Sequence, residues 1–442
     1  MSIKSVIKLG LASIAWVAIM QSESVAAASN CPATALRWSS TSNILYVSGN
    51  TVTCTPADLN NLQPLKVVKT TNEIYLVKVN LRFTEGAKFE VAGTTVGGTT
   101  NELRLLSNNA SGSTNVISVS ADYGSIKFDN TRVTSWDQIK AAPDLEYSTY
   151  KRAYVNVRSR FVSGVAKTSR MDVLNSDISN LGYNGAEAYG LSWKVMNSAF
   201  TSVDVLGDII GSRIHGNYFG VYTYGAYGMN IDSNEFDNNI KYGLDPHDDS
   251  DSLVINNNYS HNNGNHGIIC SQRCNNLTIT NNTSANNVGH GIMLHRSVDF
   301  SLVENNTIYG NTDTGLALFE SNNNIVRGNN ISGNVNGIRL SVGASFNRFE
   351  NNIINTSSKY GIYTYKGSDI PVRGDGINRG NTWVSNNVSG SGLKVLKLGA
   401  TDQDTFNAND FRNNGIIGFD LNGATNTTFV GNLTDTGKQP GQ

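Results

Sequence analysis

Proline, cysteine and charge are all scarce in this chain. Its 442 residues include 7 prolines and 4 cysteines, 16% are charged, and the formal net charge is −1. A chain so close to neutral lacks the strongly basic surface that general nucleic-acid binding requires. Beyond the N-terminus, no segment approaches the roughly 20 apolar residues of a membrane-spanning helix. What the chain does have is 43 glycines and many asparagines, which indicate a turn-rich, all-β protein.

The first 28 residues have the pattern of a secretory signal peptide. Lys4 and Lys8 precede an apolar stretch at 9–20, and small residues at 25–28 provide a cleavage site. We therefore expect an exported protein, periplasmic or extracellular, with no membrane span.

The four cysteines agree with an oxidising compartment. We expect a disulfide between Cys31 and Cys54 near the mature N-terminus. Cys270 and Cys274 are separated by so few residues that a bridge between them must cross a turn. A buried core thiol at Cys270 is an equally good interpretation.

A unit of about 24 residues repeats through most of the chain. Each copy has a glycine, preceded by a polar or aromatic residue and followed by a short apolar run, and a second apolar piece that ends in asparagine. The marker glycines are Gly190, Gly220, Gly243, Gly267, Gly291, Gly315, Gly337, Gly361, Gly392 and Gly415. The asparagines in phase with them are Asn234, Asn258, Asn282, Asn306, Asn330 and Asn352.

This period predicts an all-β fold, a right-handed parallel β-helix, in which asparagines of successive coils bond to one another. A propeller is the competing fold, but its blades need about 40–50 residues each. We expect one continuous domain after the signal peptide 1–28. It comprises an N-terminal cap with irregular opening coils at 29–150 and the β-helix with the candidate site at 151–430.

Alternation along each strand assigns the side chains to two faces. Positions one and three after the marker glycine point inward, and positions two and four point outward. Because parallel strands stack about 4.8 Å apart, the outward residues form one long stripe suited to an extended polymer. Its polar and aromatic members include Tyr222, Tyr224, Asp245, His247, His295, Arg339 and Tyr365.

The stretch 242–248 differs from the other copies of the repeat. It brings Tyr242, Asp245, His247 and Asp248 together within seven residues, and all six histidines of the chain lie between 215 and 295. His266 and His290 directly precede marker glycines and are expected to be turn residues. A histidine–aspartate cluster can also bind a metal, so we leave the metal content of the site open.

Several segments also resemble the mannuronan C5-epimerases, most closely the brown-algal branch and next the bacterial periplasmic branch. The likeness extends at least from Tyr189 to Asp369, and its clearest segments are 188–194 (AYGLSWK), 219–224 (FGVYTY), 242–251 (YGLDPHDDSD), 291–297 (GIMLHRS) and 315–321 (GLALFES). The fold of that family is the right-handed parallel β-helix.

The resemblance implies a role for several residues. His247 is expected to be the catalytic base and Arg273 the group that neutralises the substrate carboxylate, while Tyr242 and Asp245 match further catalytic positions. Secreted bacterial members use calcium, whereas the periplasmic branch does not need it, so calcium is possible although the mechanism requires no cofactor. Substrate binding is expected from Tyr222, Tyr224, Asp248, His295, Arg296, Arg339, Tyr365 and Lys366.

These residue types suit epimerisation of β-D-mannuronate to α-L-guluronate within alginate. The reaction removes the proton α to a carboxylate and returns one from the opposite face, so it needs a base, a cation on the carboxylate and a proton donor. Tyr242 or a water molecule is the expected donor. Two alternatives are a β-elimination lyase and a non-catalytic polysaccharide-binding solenoid. The expected partner is an anionic polysaccharide, bound by a monomer.

Overall fold

The described chain, a computed structural model, winds into a right-handed parallel β-helix, as the sequence predicts. Residues 29–71, 73–107, 116–415 and 418–442 are described. The signal peptide predicted at 1–28 lies outside them. Each coil adds one strand to each of three long sheets, and the strands of each sheet are parallel apart from a few short pairings near the N-terminus.

The first sheet carries the outward stripe. Its strands are Leu36–Ser39, Ile44–Ser48, Asn80–Thr84, Ser118–Asp122, Tyr154–Val162, Gly190–Val195, Phe219–Tyr224, Leu244–His247, Ile268–Ser271, Ile292–His295, Thr314–Phe319, Asn336–Ser341, Tyr360–Tyr365, Lys394–Leu398 and Phe419–Asp420. A short strand, Val165–Lys167, extends one coil as an antiparallel hairpin.

The second and third sheets close each coil. The second comprises Thr53–Cys54, Lys88–Ala92, Ser125–Asp129, Arg170–Leu174, Ile209–Ile210, Asn230–Asp232, Val254–Asn256, Thr278–Thr280, Leu302–Glu304, Ile325–Arg327, Arg348–Glu350, Thr382–Val384, Thr405–Asn407 and Thr428–Val430. The third comprises Val67–Lys69, Ile74–Val77, Glu102–Leu106, Arg132–Asp137, Asp177–Ser179, Arg213–His215, Glu235–Asp237, Tyr259–His261, Thr283–Ala285, Thr307–Tyr309, Asn330–Ser332, Ile353–Asn355, Asn387–Ser389, Asp410–Phe411 and Leu433–Thr434, with Ala142–Pro143 paired at one side.

Short elements complete the fold. A fourth sheet of three strands is formed by Asn378–Arg379, Thr401–Asp402 and Ala424–Thr425, and three single-turn helices lie at Ala33–Ala35, Thr94–Val96 and Met196–Ser198.

The N-terminal segment predicted as a cap with opening coils contributes strands to all three sheets. Its first coil is closed by the helix Pro56–Leu62, which starts at the N-cap residue Thr55 with a reciprocal capping box to Asp58. The predicted disulfide between Cys31 and Cys54 is present beside this helix.

The interior is one apolar column along the axis. The predicted inward positions are buried, with Leu244, Ile268 and Ile292 each 0% exposed. Pairing places these three residues directly above one another in successive strands. The alternation deduced from the sequence is thereby confirmed for these coils.

Stacked asparagines close the turns between the second and third sheets. In each step, the side-chain oxygen of one asparagine accepts bonds from the backbone N–H and the amide of the asparagine one coil earlier, as Asn282 does from Asn258 at 3.0 and 2.9 Å. The predicted ladder is correct except at one position. Asn329, not Asn330, lies between Asn306 and Asn352, because these two steps are 23 residues each rather than 24 and 22.

Most marker glycines stand where adjacent coils leave no room for a side chain. A Cβ on Gly267 would lie 2.2 Å from the hydroxyl of Ser284. Two assignments from the sequence are wrong. Tyr360 pairs with Lys394, so Val395 occupies the glycine position instead of Gly392. Leu396 pairs with Phe419, so Gly418 occupies the next one instead of Gly415.

One coil carries an insertion. The asparagine ladder advances by 23 residues from Asn329 to Asn352 but by 34 from Asn352 to Asn386. The additional residues form a loop at 366–377, which we call the strap. It leaves the first sheet after Tyr365 and folds back over earlier coils.

Candidate active site

The outward stripe of the first sheet brings the distinctive residues into register. Tyr222 is paired with Asp245, and Tyr224 is paired with His247 in the next strand. His247 continues into Ser271 and His295. The predicted residues that lie on the strands therefore form two parallel rows along the helix axis, with Tyr222 and Asp245 in one and Tyr224, His247 and His295 in the other.

His247, Asp248 and Arg273 form a connected polar group at the end of two neighbouring strands. The imidazole Nδ1 of His247 lies 2.5 Å from a carboxylate oxygen of Asp248. The other oxygen of Asp248 accepts a short hydrogen bond from Arg273, whose Nε also donates to Asp249 at 3.0 Å. Asp248 thus connects the predicted base to the predicted carboxylate-binding cation.

The backbone at these strand ends is left-handed at residues other than glycine. Asp248 and Asp249 have φ values of 25° and 54°, and Arg273 has a φ of 56°. The same left-handed backbone follows a later strand of the first sheet, at Arg296 and Ser297, so it belongs to the regular turn of the coil. Here this backbone lets both carboxylates and the guanidinium bond to one another at the strand ends.

The pKa of His247 is raised, unlike that of its neighbours. Burial by itself would lower it, but the hydrogen bond to Asp248 and the charges of Asp245 and Asp248 outweigh burial. By contrast, burial lowers the pKa of both His266 and His295 to about 4. Among these three imidazoles, only His247 has a pKa displaced upward, and a perturbed pKa of this kind is typical of functional sites.

Asp245 is an unusual buried carboxyl group. It is 1% exposed, although alternation predicted an outward position. Tyr189, Tyr222 and Tyr242 lie near enough for its charge to raise their pKa values. Burial raises its pKa to about 7. Its Oδ1 has no hydrogen-bond partner among the described residues. A hydroxyl of a bound sugar is the kind of group that would satisfy this oxygen.

Tyr222 and Tyr224, both predicted to bind substrate, have their rings near the imidazole of His247. Their ring centres are 5.5 and 6.5 Å from that of His247. Tyr242, the predicted proton donor, instead packs between Phe219 and His266, at 4.9 and 5.4 Å. Burial and the charge of Asp245 raise the pKa of Tyr222, so its phenol keeps its proton at neutral pH.

The remaining predicted substrate-binding residues lie further along the stripe. Arg296 contacts Asp369 of the strap at 3.0 Å. Arg339 lies 3.0 Å from the ring of His290 and 5.9 Å from the ring centre of Tyr365. Lys366 is exposed at the start of the strap.

Three groups near the site were not assigned a role from the sequence. Asp249 holds Arg273, Ser271 bonds to Asp245, and the ring of Tyr189 packs 4.9 Å from that of Tyr222. The run of two aspartates after His247 is a signal that could have identified Asp249. Ser271 and Tyr189 are brought near only by the stacking of coils.

Possible metal ligands occur on the opposite part of the coil. Donor atoms of Glu235, Asp237 and His261 lie within 4.8 Å of one another on the third sheet. However, Arg213 donates to both oxygens of Asp237 at 2.9 and 2.8 Å, which already neutralises that carboxylate. At the candidate site, Asp248 is similarly engaged, by His247 and by the cation Arg273.

Among the described residues, no helix has both the length and the apolar character needed to cross a membrane.

Two family models and several known proteins are similar to parts of this chain. Residues 183–345 match the family described as periplasmic copper-binding protein (NosD), and residues 296–397 match the right handed beta helix region. A mannuronan C5-epimerase of Pseudomonas aeruginosa is 31% identical over 135 residues, which are 29% of this chain and 23% of that protein. Mannuronan C5-epimerase AlgG of Azotobacter vinelandii is 30% identical over 196 residues, 43% of this chain and 34% of the relative.

These matched segments span about a third or less of the two relatives. The crystal structure of the periplasmic alginate epimerase AlgG superimposes with a TM-score of 0.71 at 23% identity, covering 88% of this chain and 85% of that one. This likeness shows the fold. Together with the sequence matches, it confirms the resemblance: the chain is a right-handed parallel β-helix protein related to the mannuronan C5-epimerases.

Proposed function

We propose that this protein converts β-D-mannuronate to α-L-guluronate residues within an alginate chain by inverting C5. The observation that carries the proposal is the group formed by His247, Asp248 and Arg273 on the outer stripe. It combines a base of raised pKa with a guanidinium fork, the two groups needed to remove a proton next to a carboxylate.

In the first step, Nε2 of His247 removes the C5 proton. Nδ1 bonds to Asp248, and Nε2 forms no hydrogen bond among the described residues. Asp248 therefore fixes the ring and stabilises the imidazolium that forms. Arg273 stabilises the negative charge that develops on the substrate carboxylate, and its planar fork suits two oxygens.

In the second step, a proton returns to C5 from the opposite face. We propose Tyr222 or a water molecule as its donor, with Tyr242 less suitably placed. The ring of Tyr222 lies 5.5 Å from that of His247, whereas Tyr242 contacts His266. Burial raises the pKa of Asp245 to about 7, so its protonated form is populated up to neutral pH and can donate a hydrogen bond to a sugar hydroxyl.

Flanking sugars are assigned to the rest of the stripe. Aromatic rings supply surfaces for pyranose rings, and cations pair with uronate carboxylates. The residues we assign to these positions are Tyr224, His295, Arg296, Arg339, Tyr365 and Lys366. The protein is proposed to act as an exported monomer, in the periplasm or outside the cell.

The chemistry as proposed requires no cofactor, since Arg273 supplies the positive charge. Calcium is the alternative expected from the resemblance. If calcium takes part, treatment with a chelator will abolish turnover and added calcium will restore it. If Arg273 is sufficient, the chelated enzyme will retain its rate.

The decisive experiment is incubation of the purified mature protein with polymannuronate in D₂O, followed by NMR. The expected result is guluronate with deuterium at C5. A β-elimination lyase would instead generate a C4–C5 double bond, seen as ultraviolet absorbance without guluronate. Binding without either product would support a non-catalytic solenoid.

Two histidine variants test the assignment of the base. His247→Gln should abolish turnover with an unchanged circular dichroism spectrum. His261→Gln is the matched control, because its imidazole also contacts a carboxylate, Glu235 at 3.0 Å, but lies on the third sheet. It should retain activity.

A further inference from the structure

The strap reaches across three coils to the neighbourhood of the candidate site. Asp369 contacts Arg296 at 3.0 Å, although 73 residues separate the two in the sequence. Arg296 directly follows His295, which stands two strands from His247 in the register of the first sheet. The strap therefore brings an acidic side chain of the protein to a cation on the stripe.

Its attachment does not depend on Asp369. Arg373 donates to both oxygens of Asp299, at 2.6 and 3.2 Å, and to the backbone oxygen of Glu320 at 2.9 Å. The backbone N–H of Arg373 also donates to the Glu320 side chain. Lys366 accepts a backbone bond from Val342 at 3.1 Å at the beginning of the strap. These contacts hold the strap on the helix on either side of Asp369.

The contact between Asp369 and Arg296 is weak for its type. It uses a single nitrogen, Nη2. Nε of Arg296 is buried without a hydrogen-bond partner among the described residues. A carboxylate that meets a guanidinium side-on makes two parallel bonds and is held more strongly. The side chain of Asp369 is 48% exposed, so water also competes for it.

We propose that Asp369 is a specificity-determining residue that occupies Arg296 in the free protein and is displaced by a carboxylate of the bound polymer. This inference rests on the proposed function, since it takes the polymer to be a polyuronate. A uronate can displace Asp369 because Arg296 then exchanges one carboxylate partner for another and the charge around it stays the same. A neutral sugar that displaced Asp369 would leave the guanidinium of Arg296 without a carboxylate partner.

The test measures binding rather than turnover, so it does not depend on epimerase activity. Polymannuronate chains of graded length are titrated calorimetrically into the full mature protein and into its Asp369→Asn variant. Removing the competing carboxylate should tighten binding of long chains about three- to fivefold, the scale of one partly exposed ion pair. Chains too short to reach Arg296 from His247 should bind equally to both proteins.

Three controls sharpen the result. Asp375→Asn removes another strap carboxylate, which pairs with Arg379 at 2.7 Å rather than with the stripe, and should leave binding unchanged. Asp369→Glu keeps the charge and should restore wild-type affinity. A carboxyl-reduced, neutral form of the polymer should gain nothing from Asp369→Asn.

The outcomes separate the two proposals. Equal or weaker binding of long chains by Asp369→Asn would overturn the displacement idea, because Asp369 would then be neutral or would position Arg296 for the substrate. An equal gain for the neutral polymer would also overturn it. If the wild-type protein forms no guluronate but Asp369→Asn still binds long polymannuronate chains more tightly, only the proposed epimerase function is refuted.

Discussion

The imidazole Nδ1 of His247 lies 2.5 Å from the carboxylate of its sequence neighbour Asp248. The same carboxylate bonds to Arg273 from the next coil. Burial would raise the pKa of Asp248, but the hydrogen bonds from His247 and Arg273 lower it below its ordinary value and so favour the ionised carboxylate. One anion therefore orients both the base and the cation of the proposed reaction.

The first prediction concerns pH. A base must be neutral, so activity should rise as pH increases through the pKa of His247, which lies above its ordinary value. Asp248→Asn removes the bond that raises this pKa, so the rising limb of kcat/KM should move to lower pH while the maximal rate falls. The imidazole titration can be followed by NMR in the same variant. A shift to higher pH would contradict the assigned role of Asp248.

The second prediction concerns the geometry of the cation. Arg273→Lys keeps the charge but loses the planar fork, and we expect kcat to fall about 10²–10³-fold with a smaller change in KM. Arg213→Lys is the matched control, because Arg213 also binds a carboxylate through two nitrogens, but on the third sheet. Retention of most activity by Arg273→Lys would indicate that charge alone suffices.

Much of the fold follows from the sequence because the repeat is strict. A coil that repeats about every 24 residues fixes which side chains face inward, and Leu244 and Ile268 are buried as that rule requires. The ladder fails at Asn330 because two successive steps are each 23 residues instead of 24, and periodicity by itself does not show where the missing residues lie. Similarly, the sequence shows a long interval before Gly392, but it does not show that the additional residues fold back as the strap.

The sequence predicts which residues belong to the candidate site better than it predicts which of them are in contact. The neighbours His247 and Asp248 could be identified from a seven-residue stretch. The positions of Tyr222 and Tyr242 around the imidazole depend on ring packing between coils, which no pattern in one repeat encodes. The approach of Asp369 to Arg296 depends on how a loop folds across three coils.

The third prediction tests the corrected ladder. Asn329 accepts two bonds from Asn306, both 2.9 Å, and donates to Val303 at 3.0 Å. Asn329→Ala leaves several buried groups unsatisfied, at about 1–3 kcal/mol for each group, and should lower Tm clearly. Asn330→Ala, one residue away and exposed, should change Tm little. If Asn330→Ala lowers Tm more than Asn329→Ala, the ladder position is Asn330, as the sequence predicts.

The fourth prediction concerns the two remaining cysteines, whose state the sequence left open. Cys270 and Cys274 are free and buried. Burial raises the pKa of the Cys274 thiol well above its ordinary value, and the thiolate is the reactive form. An alkylating reagent should therefore find no reactive thiol in the native protein and two per chain after denaturation without reductant. Absence of thiols in the denatured protein would instead show a second disulfide.

The last prediction is that Asp245, which the proposed reaction needs, lowers the free energy of unfolding because its carboxyl group is buried. Its pKa is about 7 in the folded protein, raised by burial, against about 3.9 in an unfolded chain. Below pH 4 the carboxyl group is protonated in both states and has no effect on the free energy of unfolding.

As pH rises from about 4 to 7, the unfolded chain ionises first and the folded state loses stability. The loss reaches about 4 kcal/mol, equivalent to a few degrees in Tm. Asp245→Asn should remove this pH dependence, so its Tm advantage over the wild type should grow between pH 4 and 7 and then level off. Turnover should be lost.

Asp404→Asn is the matched control for this variant. The pKa of Asp404 is likewise raised to about 7 by burial, but its carboxylate accepts bonds from Asn381 and Trp383, away from the stripe. This variant should show the same pH-dependent gain in Tm with activity retained. If the Tm difference between Asp245→Asn and the wild type is the same at every pH, the pKa of Asp245 is not raised in the folded protein. If Asp245→Asn is fully active, Asp245 takes no part in the reaction.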